Sequence, residues 1–137
     1  MNIVAILVAS VVEFIISAIW YMPIFGKMWG KIHGFETVSP EAQKEMNAKM
    51  PPLLVAQFIV TVVTTLVLSV LIANGVAGWN VYMLAAVLWI GFVVPTQISA
   101  ILFGGTKPEW MAAKTFIMAG GSLLSLLAAA FILQAMG

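Results

Sequence analysis

Cysteine, aspartate and arginine do not occur in this 137-residue chain, and histidine occurs once. Without cysteine there are no disulfides, thiolate metal sites or thiol nucleophiles, and the redox compartment cannot be read from thiol usage. Hydrolytic or transfer chemistry needs a nucleophile with a positioned base, or a metal with several ligands. The single histidine, His33, lies in a polar connection far along the chain from Glu13, where a lone histidine reads as solvated. The expectation is a non-enzyme with no cofactor and no metal. Charge of either sign is also scarce: 8% of residues are charged and 63% are hydrophobic, whereas about a quarter of a soluble domain is charged. With a mean hydropathy of +1.11, the chain belongs in a lipid bilayer. Its net charge of +1 offers no concentrated basic face for phosphate backbones, which excludes nucleic acid as a partner.

What remains is organised as apolar runs. Crossing the hydrocarbon core takes roughly 20 predominantly apolar residues, and four runs qualify, at about 2–22, 52–73, 79–103 and 109–136. The predicted fold is all-α: one transmembrane domain over 1–137, a bundle of four membrane-spanning helices with a cytoplasmic amphipathic loop at about 24–50. The first run has no basic residue ahead of it and is interrupted by Glu13, so it reads as a retained helix rather than a secretion signal. Lys27, Lys31, Lys44 and Lys49 lie between the first and second runs, and Lys107 and Lys114 at the junction of the third and fourth. Cytoplasmic loops retain lysine. Both lysine-bearing connections are therefore expected inside and both termini outside, in a bacterial inner membrane.

In the first run Ala9, Ser10, Glu13, Ser17 and Trp20 recur at three- and four-residue spacings and share one helical face, expected to look into the bundle. A carboxyl near mid-membrane needs a partner, a proton or a water-filled cavity, which makes Glu13 the sharpest functional clue. Trp20 and Tyr21 fall at the depth of the interfacial aromatic belt. Pro23 is expected to end or bend the span near Met22. Beyond it Phe25, Met28, Trp29 and Ile32 form the stripe of a short helix lying in the membrane surface, with Gly34 as its left-handed cap. A second short helix is expected from Ser39, with Pro40 at its first position.

The second span carries Gln57, Thr61, Thr65 and Ser69 four apart, with Thr64 beside them. Thr61, Thr64 and Thr65 come level with Glu13 in an antiparallel neighbour and are its candidate partners. In the third span Pro95 is expected to kink the helix and free a carbonyl near Gly91, with Thr96 and Gln97 following. Trp89 is either a packing anchor or a pocket wall. Thr106 and Glu109 fit a capping box for the fourth span, and Lys114, one turn deeper, can snorkel to the surface. Gly121, Ser125 and Ala129 form a small-residue stripe suited to close helix approach, in this chain or between copies.

The string IWYMPIFGKMWGKIHGF at 19–35, with LWIGFVVPTQISAILFGGTKPEWMAAKTFI at 88–117, resembles the bacterial membrane proteins grouped as domain of unknown function 1761. The resemblance rests on Trp20, Tyr21, Pro23, Phe25, Gly26, Lys27 and Trp29, and on Gly91, Phe92, Pro95, Thr96, Leu102 and Phe103. It departs in the fourth span, where this chain has Met118, Gly120 and Gly121 instead of an asparagine and a Gly-Tyr, and at Glu13, where a small or apolar residue is expected. The resemblance implies four helices and no assigned activity.

The functional expectation is a small-solute or ion transporter or channel component acting as a homo-oligomer. Its polar core would comprise Glu13, Ser17, Thr61, Thr65, Thr96 and Gln97, with the carboxyl neutral until a cation arrives. The alternative is a non-catalytic accessory or scaffold protein that docks a partner or lipid.

Overall fold

In lipid every backbone polar group must be satisfied within the protein, which leaves an apolar chain only helices or a closed barrel. The computed structural model describes residues 1–137, and 86% of them are helical with no strands. The first span joins helix α1, Ile3–Ile19, to a π-helical turn at Trp20–Ile24. Two short surface helices follow, α2 at Gly26–Ile32 and α3 at Pro40–Ala48, with a 3-10 turn at Phe35–Thr37 between them. The second span is α4, Met50–Asn74. The third is α5, Val81–Leu88, a second π-helical turn at Trp89–Val93, and α6, Val94–Phe103; the fourth is α7, Pro108–Met136. All four spans are long and apolar enough to cross a membrane.

Local chemistry sets the ends. Asn2 Oδ1 accepts from the Ala5 amide at 3.1 Å, and Asn2 Nδ2 donates to the Met136 carbonyl at 2.9 Å, so one side chain caps α1 and pins the end of α7 to it. Ser39 Oγ accepts from the Ala42 amide ahead of α3, with Pro40 first in the helix. Gly34 closes α2 at φ 69°, in the left-handed region that favours glycine. The fourth span differs from expectation: α7 has no side-chain cap, and Thr106 Oγ1 accepts instead from Lys114 Nζ at 3.4 Å. The helix starts at Pro108 with Lys107 as its N-cap residue, which leaves Thr106 one residue too early for a capping box.

Pro23 neither ends nor sharply breaks the first span. It sits inside the π-helical turn, whose wider ring tolerates the missing amide. The second π-helical turn ends two residues before Pro95, and Thr96 Oγ1 donates to the Phe92 carbonyl at 2.6 Å beside it.

α7 is the hub. It packs along α1 on one side and along α5 and α6 on another, while α4 packs mainly on α1. The spans therefore stand in the order second, first, fourth, third. The α1–α7 seam is close because its residues are small: Ala5 and Ala9 meet Ala129 and Ala130 in a core with Ile6, Leu68, Ala85, Leu126 and Leu133. Gly121, Ser125 and Ala129 are all buried, so the small-residue stripe is used within the chain. Only 17 of 137 residues are buried, which leaves the outer faces of α4, α5 and α6 to lipid or to other protein.

Candidate functional site

Glu13 lies about midway along the first span and is 5% exposed. Helical spacing puts it on the face of α1 that turns to α4 and α7, with Ala9 and Ser10 above and Ser17 and Trp20 below. Each polar group on this face finds a partner on another span or on its own helix. Ser10 Oγ donates to the Ile6 carbonyl at 2.7 Å. Thr65 Oγ1 donates to Glu13 Oε1 at 2.5 Å. Ser17 Oγ and Ser125 Oγ stand 3.4 Å apart, and Trp20 Nε1 donates to the Ile117 carbonyl at 2.7 Å. The result is a polar seam running down the middle of an otherwise apolar interface.

Thr65 is fully buried and does double duty. Its Oγ1 lies 2.7 Å from the Thr61 carbonyl as well as 2.5 Å from the Glu13 carboxyl. A hydroxyl has one hydrogen to give and two lone pairs to accept with. With an ionised Glu13 the hydrogen points at the carboxylate. With a protonated Glu13 the acid donates to Thr65, and Thr65 turns its hydrogen to the Thr61 carbonyl. Both forms of the acid fit the same heavy-atom positions, so a proton can come and go with little rearrangement. A hydrogen bond to a charged group is worth about 1.5–3 kcal/mol, which does not exceed the cost, on the order of 3 kcal/mol, of holding a charged side chain at mid-membrane. The hydroxyl alone therefore does not settle a bare carboxylate here.

The other residues of the expected core lie elsewhere. Thr61 contributes its carbonyl, while its own hydroxyl donates back to Gln57 at 2.9 Å. Thr64 is exposed and donates back to the Val60 carbonyl. Thr96 is exposed on α6 and back-bonded, away from the seam. Its spacing from Pro95 could not show that the third span packs on the far side of α7. Gln97 faces α7 rather than α1: Nε2 donates to the Met118 carbonyl at 3.4 Å, and Oε1 is buried without a partner. The polar groups thus split among the α1–α4, α1–α7 and α6–α7 interfaces. Gly91 sits in the second π-helical turn with open space where a Cβ would stand, three residues before the segment containing Pro95 resumes α-helical form.

Trp20 turns inward onto α7. Its indole lies over Gly120 and Gly121, where an added Cβ would stand 2.9 Å and 2.8 Å from ring atoms. Trp89 mirrors it from the third span, donating to the Ala119 carbonyl at 2.8 Å with Ser122 Oγ at 3.2 Å. It is a packing anchor. Each indole opens a π-helical turn and hooks onto the backbone of α7 within two residues of the other's acceptor.

Above Glu13, at the end of the bundle that carries both termini, an open cleft of about 760 Å³ lies between α1, α4 and α7. Asn2, Ala5, Ser69 and Leu133 are among its lining residues. Ser69 stands one turn beyond Thr65 on the same stripe of α4. Between cleft and carboxyl sit Ala9, Leu68 and Ala130 of the apolar core.

At the opposite end the aromatic residues after the first span form a knuckle. Trp20 packs on Phe25 at 4.7 Å, Phe25 on Phe116 of α7 at 6.1 Å, and Tyr21 on Trp29 at 4.8 Å between ring centroids. Gly26 opens α2 beside the Tyr21 carbonyl, and Lys27 points out to solvent. His33 is exposed, in line with the expectation of a solvated loop residue, and its Nε2 also accepts a hydrogen bond from Lys114 Nζ at 3.1 Å. The four-residue spacing of Phe25, Trp29 and His33 puts them on one face, but nothing in the sequence indicates that Lys114 of the fourth span meets that face.

A four-span all-helical membrane protein with a buried acid and a lysine-bearing surface knuckle is thus the class that fold and site define. The profile of the family described as proteins of unknown function (DUF1761) matches residues 4–134. The chain belongs to that family. Searches of curated proteins and of solved structures found no match.

Proposed function

We propose that this chain is a component of a small-solute or ion transporter or channel in a bacterial inner membrane, with Glu13 as its proton- or cation-linked group. The observation that carries this reading is the buried Glu13 carboxyl, whose hydroxyl partner Thr65 accommodates the acid with or without its proton. The cleft lined by Ser69 of the same α4 stripe supports it, because it lies within a few apolar side chains of the carboxyl, two of them alanines. An intramembrane acid is a functional site by default. The lysine-bearing end is the cytoplasmic one on the retention of lysine, which turns the cleft outward. The reading is non-enzymatic. A homo-oligomer is the working form, since the exposed outer faces of α4, α5 and α6 offer broad surfaces for a second copy.

The test is ion flux into vesicles reconstituted with the purified protein under an imposed potential, with protons and monovalent cations offered in turn. Wild type is expected to carry one of them, and Glu13→Gln to abolish or uncouple the flux while the protein stays folded. Equal flux in both would count against Glu13 as the linked group. The alternative, a scaffold docking a partner or lipid, loses one support: its small-residue stripe is occupied by α1. Enlarging Gly121 or Ser125 to Leu is therefore expected to disturb the fold itself rather than release a partner.

A further inference from the structure

Lys114 lies six residues into α7, about 9 Å along the helix from its start, and its side chain does not run free to water. Its ammonium is held by three groups: His33 Nε2 at 3.1 Å, Thr106 Oγ1 at 3.4 Å, and the face of Trp29 at 5.6 Å. His33 is neutral in this arrangement. Its Nδ1 lies 2.9 Å from the Trp29 carbonyl, which only accepts, so Nδ1 carries the hydrogen and Nε2 offers a lone pair to the lysine. Every partner of the ammonium is therefore uncharged, and neither Glu36 nor Glu109 is among them.

The charge is thus immobilised and uncompensated at the membrane-surface end of the bundle. Two hydrogens are left to give there: the third N–H of the ammonium, and the hydroxyl of Thr106, which accepts from Lys114 and keeps its own hydrogen. Exposed charges of both signs surround it, Lys107 and Lys31 with Glu109 and Glu36, and lysine is in excess at this end of the chain's spans. A half-buried cation with paired free donors is completed by an anion with more than one acceptor oxygen. At this depth the abundant groups of that kind are the phosphates of lipid headgroups, drawn further by the basic surface.

We propose that Lys114 and Thr106, positioned by His33 and Trp29, bind a phosphate group, supplied by an anionic lipid headgroup or by a soluble phosphate. The site is separate from the Glu13 seam and does not depend on transport.

The experiment is native mass spectrometry of the full chain released from nanodiscs of phosphatidylcholine with or without phosphatidylglycerol, alongside titration of the detergent-purified protein with inorganic phosphate. One phosphatidylglycerol retained per chain, with affinity falling about tenfold or more in Lys114→Gln, is the expected result, the order of one charge-assisted hydrogen bond. Lys44→Gln, on α3 and not among the neighbours of the ammonium, is expected to retain lipid nearly as wild type does. Binding of inorganic phosphate with no preference for phosphatidylglycerol would assign the site to a soluble phosphate. Thr106→Val keeps the lysine, histidine and indole in place and loses only the hydroxyl. It is expected to weaken retention several-fold, which keeps the test decisive if Lys114→Gln misfolds. No binding of either probe, or binding unchanged in both Lys114→Gln and Thr106→Val, would overturn the proposal.

Discussion

A buried hydroxyl that bridges an acid and a backbone carbonyl gives the Glu13 site its two-sided character. Replacing Thr65 with Val keeps the shape and removes the bridge, which leaves the Glu13 carboxyl without its partner. An unsatisfied buried polar group costs about 1–3 kcal/mol, so Thr65→Val is expected to destabilise the protein by that order. Glu13→Gln, whose amide can still donate to Thr65, is expected to cost under about 1 kcal/mol. Reversible unfolding in mixed detergent measures both, and the reverse ranking would refute the hydrogen count. At the other end of the bundle, His33 is expected in its Nδ1–H neutral tautomer while bonded to Lys114. Nitrogen-15 shifts of the imidazole read this directly: the Nδ1 resonance should show the attached hydrogen and Nε2 the lone pair, and Lys114→Met should relax the preference.

At the scale of elements, the π-helical turns and the indoles that open them explain how two proline-bearing spans grip one straight helix. α7 offers glycines where the Trp20 ring must lie flat against its backbone, and the indole N–H takes a helix carbonyl as partner. Gly121→Ala would put a methyl 2.8 Å from the Trp20 ring. The indole must shift and its bond to Ile117 weaken, at a cost of about 1–3 kcal/mol for overpacking. Gly91, in the other π-helical turn, has nothing within 4 Å of an added Cβ. Gly91→Ala is expected to be neutral or to stabilise by up to about 1 kcal/mol, through the lower freedom of the unfolded chain. Thermal unfolding compares the two, with tryptophan emission reporting a displaced indole in Gly121→Ala alone. A similar loss in both variants would separate the stability effect from Trp20.

For the whole molecule, the order second, first, fourth, third sets which polar residues can meet. Because the chain has no cysteine, an introduced pair reports proximity without background. Ser17→Cys with Ser125→Cys, at hydroxyls 3.4 Å apart, is expected to form a disulfide within one chain on oxidation. Ser17→Cys with Thr96→Cys is expected to form none within the chain, since α6 packs on the other side of α7. Mobility on non-reducing gels distinguishes a monomeric cross-linked product from a dimer. An intramolecular Ser17–Thr96 product would return Thr96 to the Glu13 seam.

The sequence by itself determined the class, the four spans, the short surface helices and the depth of Glu13. Those properties follow from hydropathy, helical period and proline placement, which are local and additive along the chain. It also narrowed the partner of Glu13 to one face of α4, where Thr65 lies. Which threonine meets the acid depends on the rotation of α4 about its axis, and that is decided by how Leu68 and Thr65 seat against α1. Only the tertiary structure decided that Gln97 and Thr96 stand apart from the seam, that Trp20 turns inward onto glycine, and that His33 reaches Lys114. Each of these depends on which helix stands beside which. In an apolar medium hydrophobicity hardly distinguishes one pairing of helices from another. The choice falls to close fits such as Ala9 with Ala129, and the indoles on α7, which exist only once the helices are assembled.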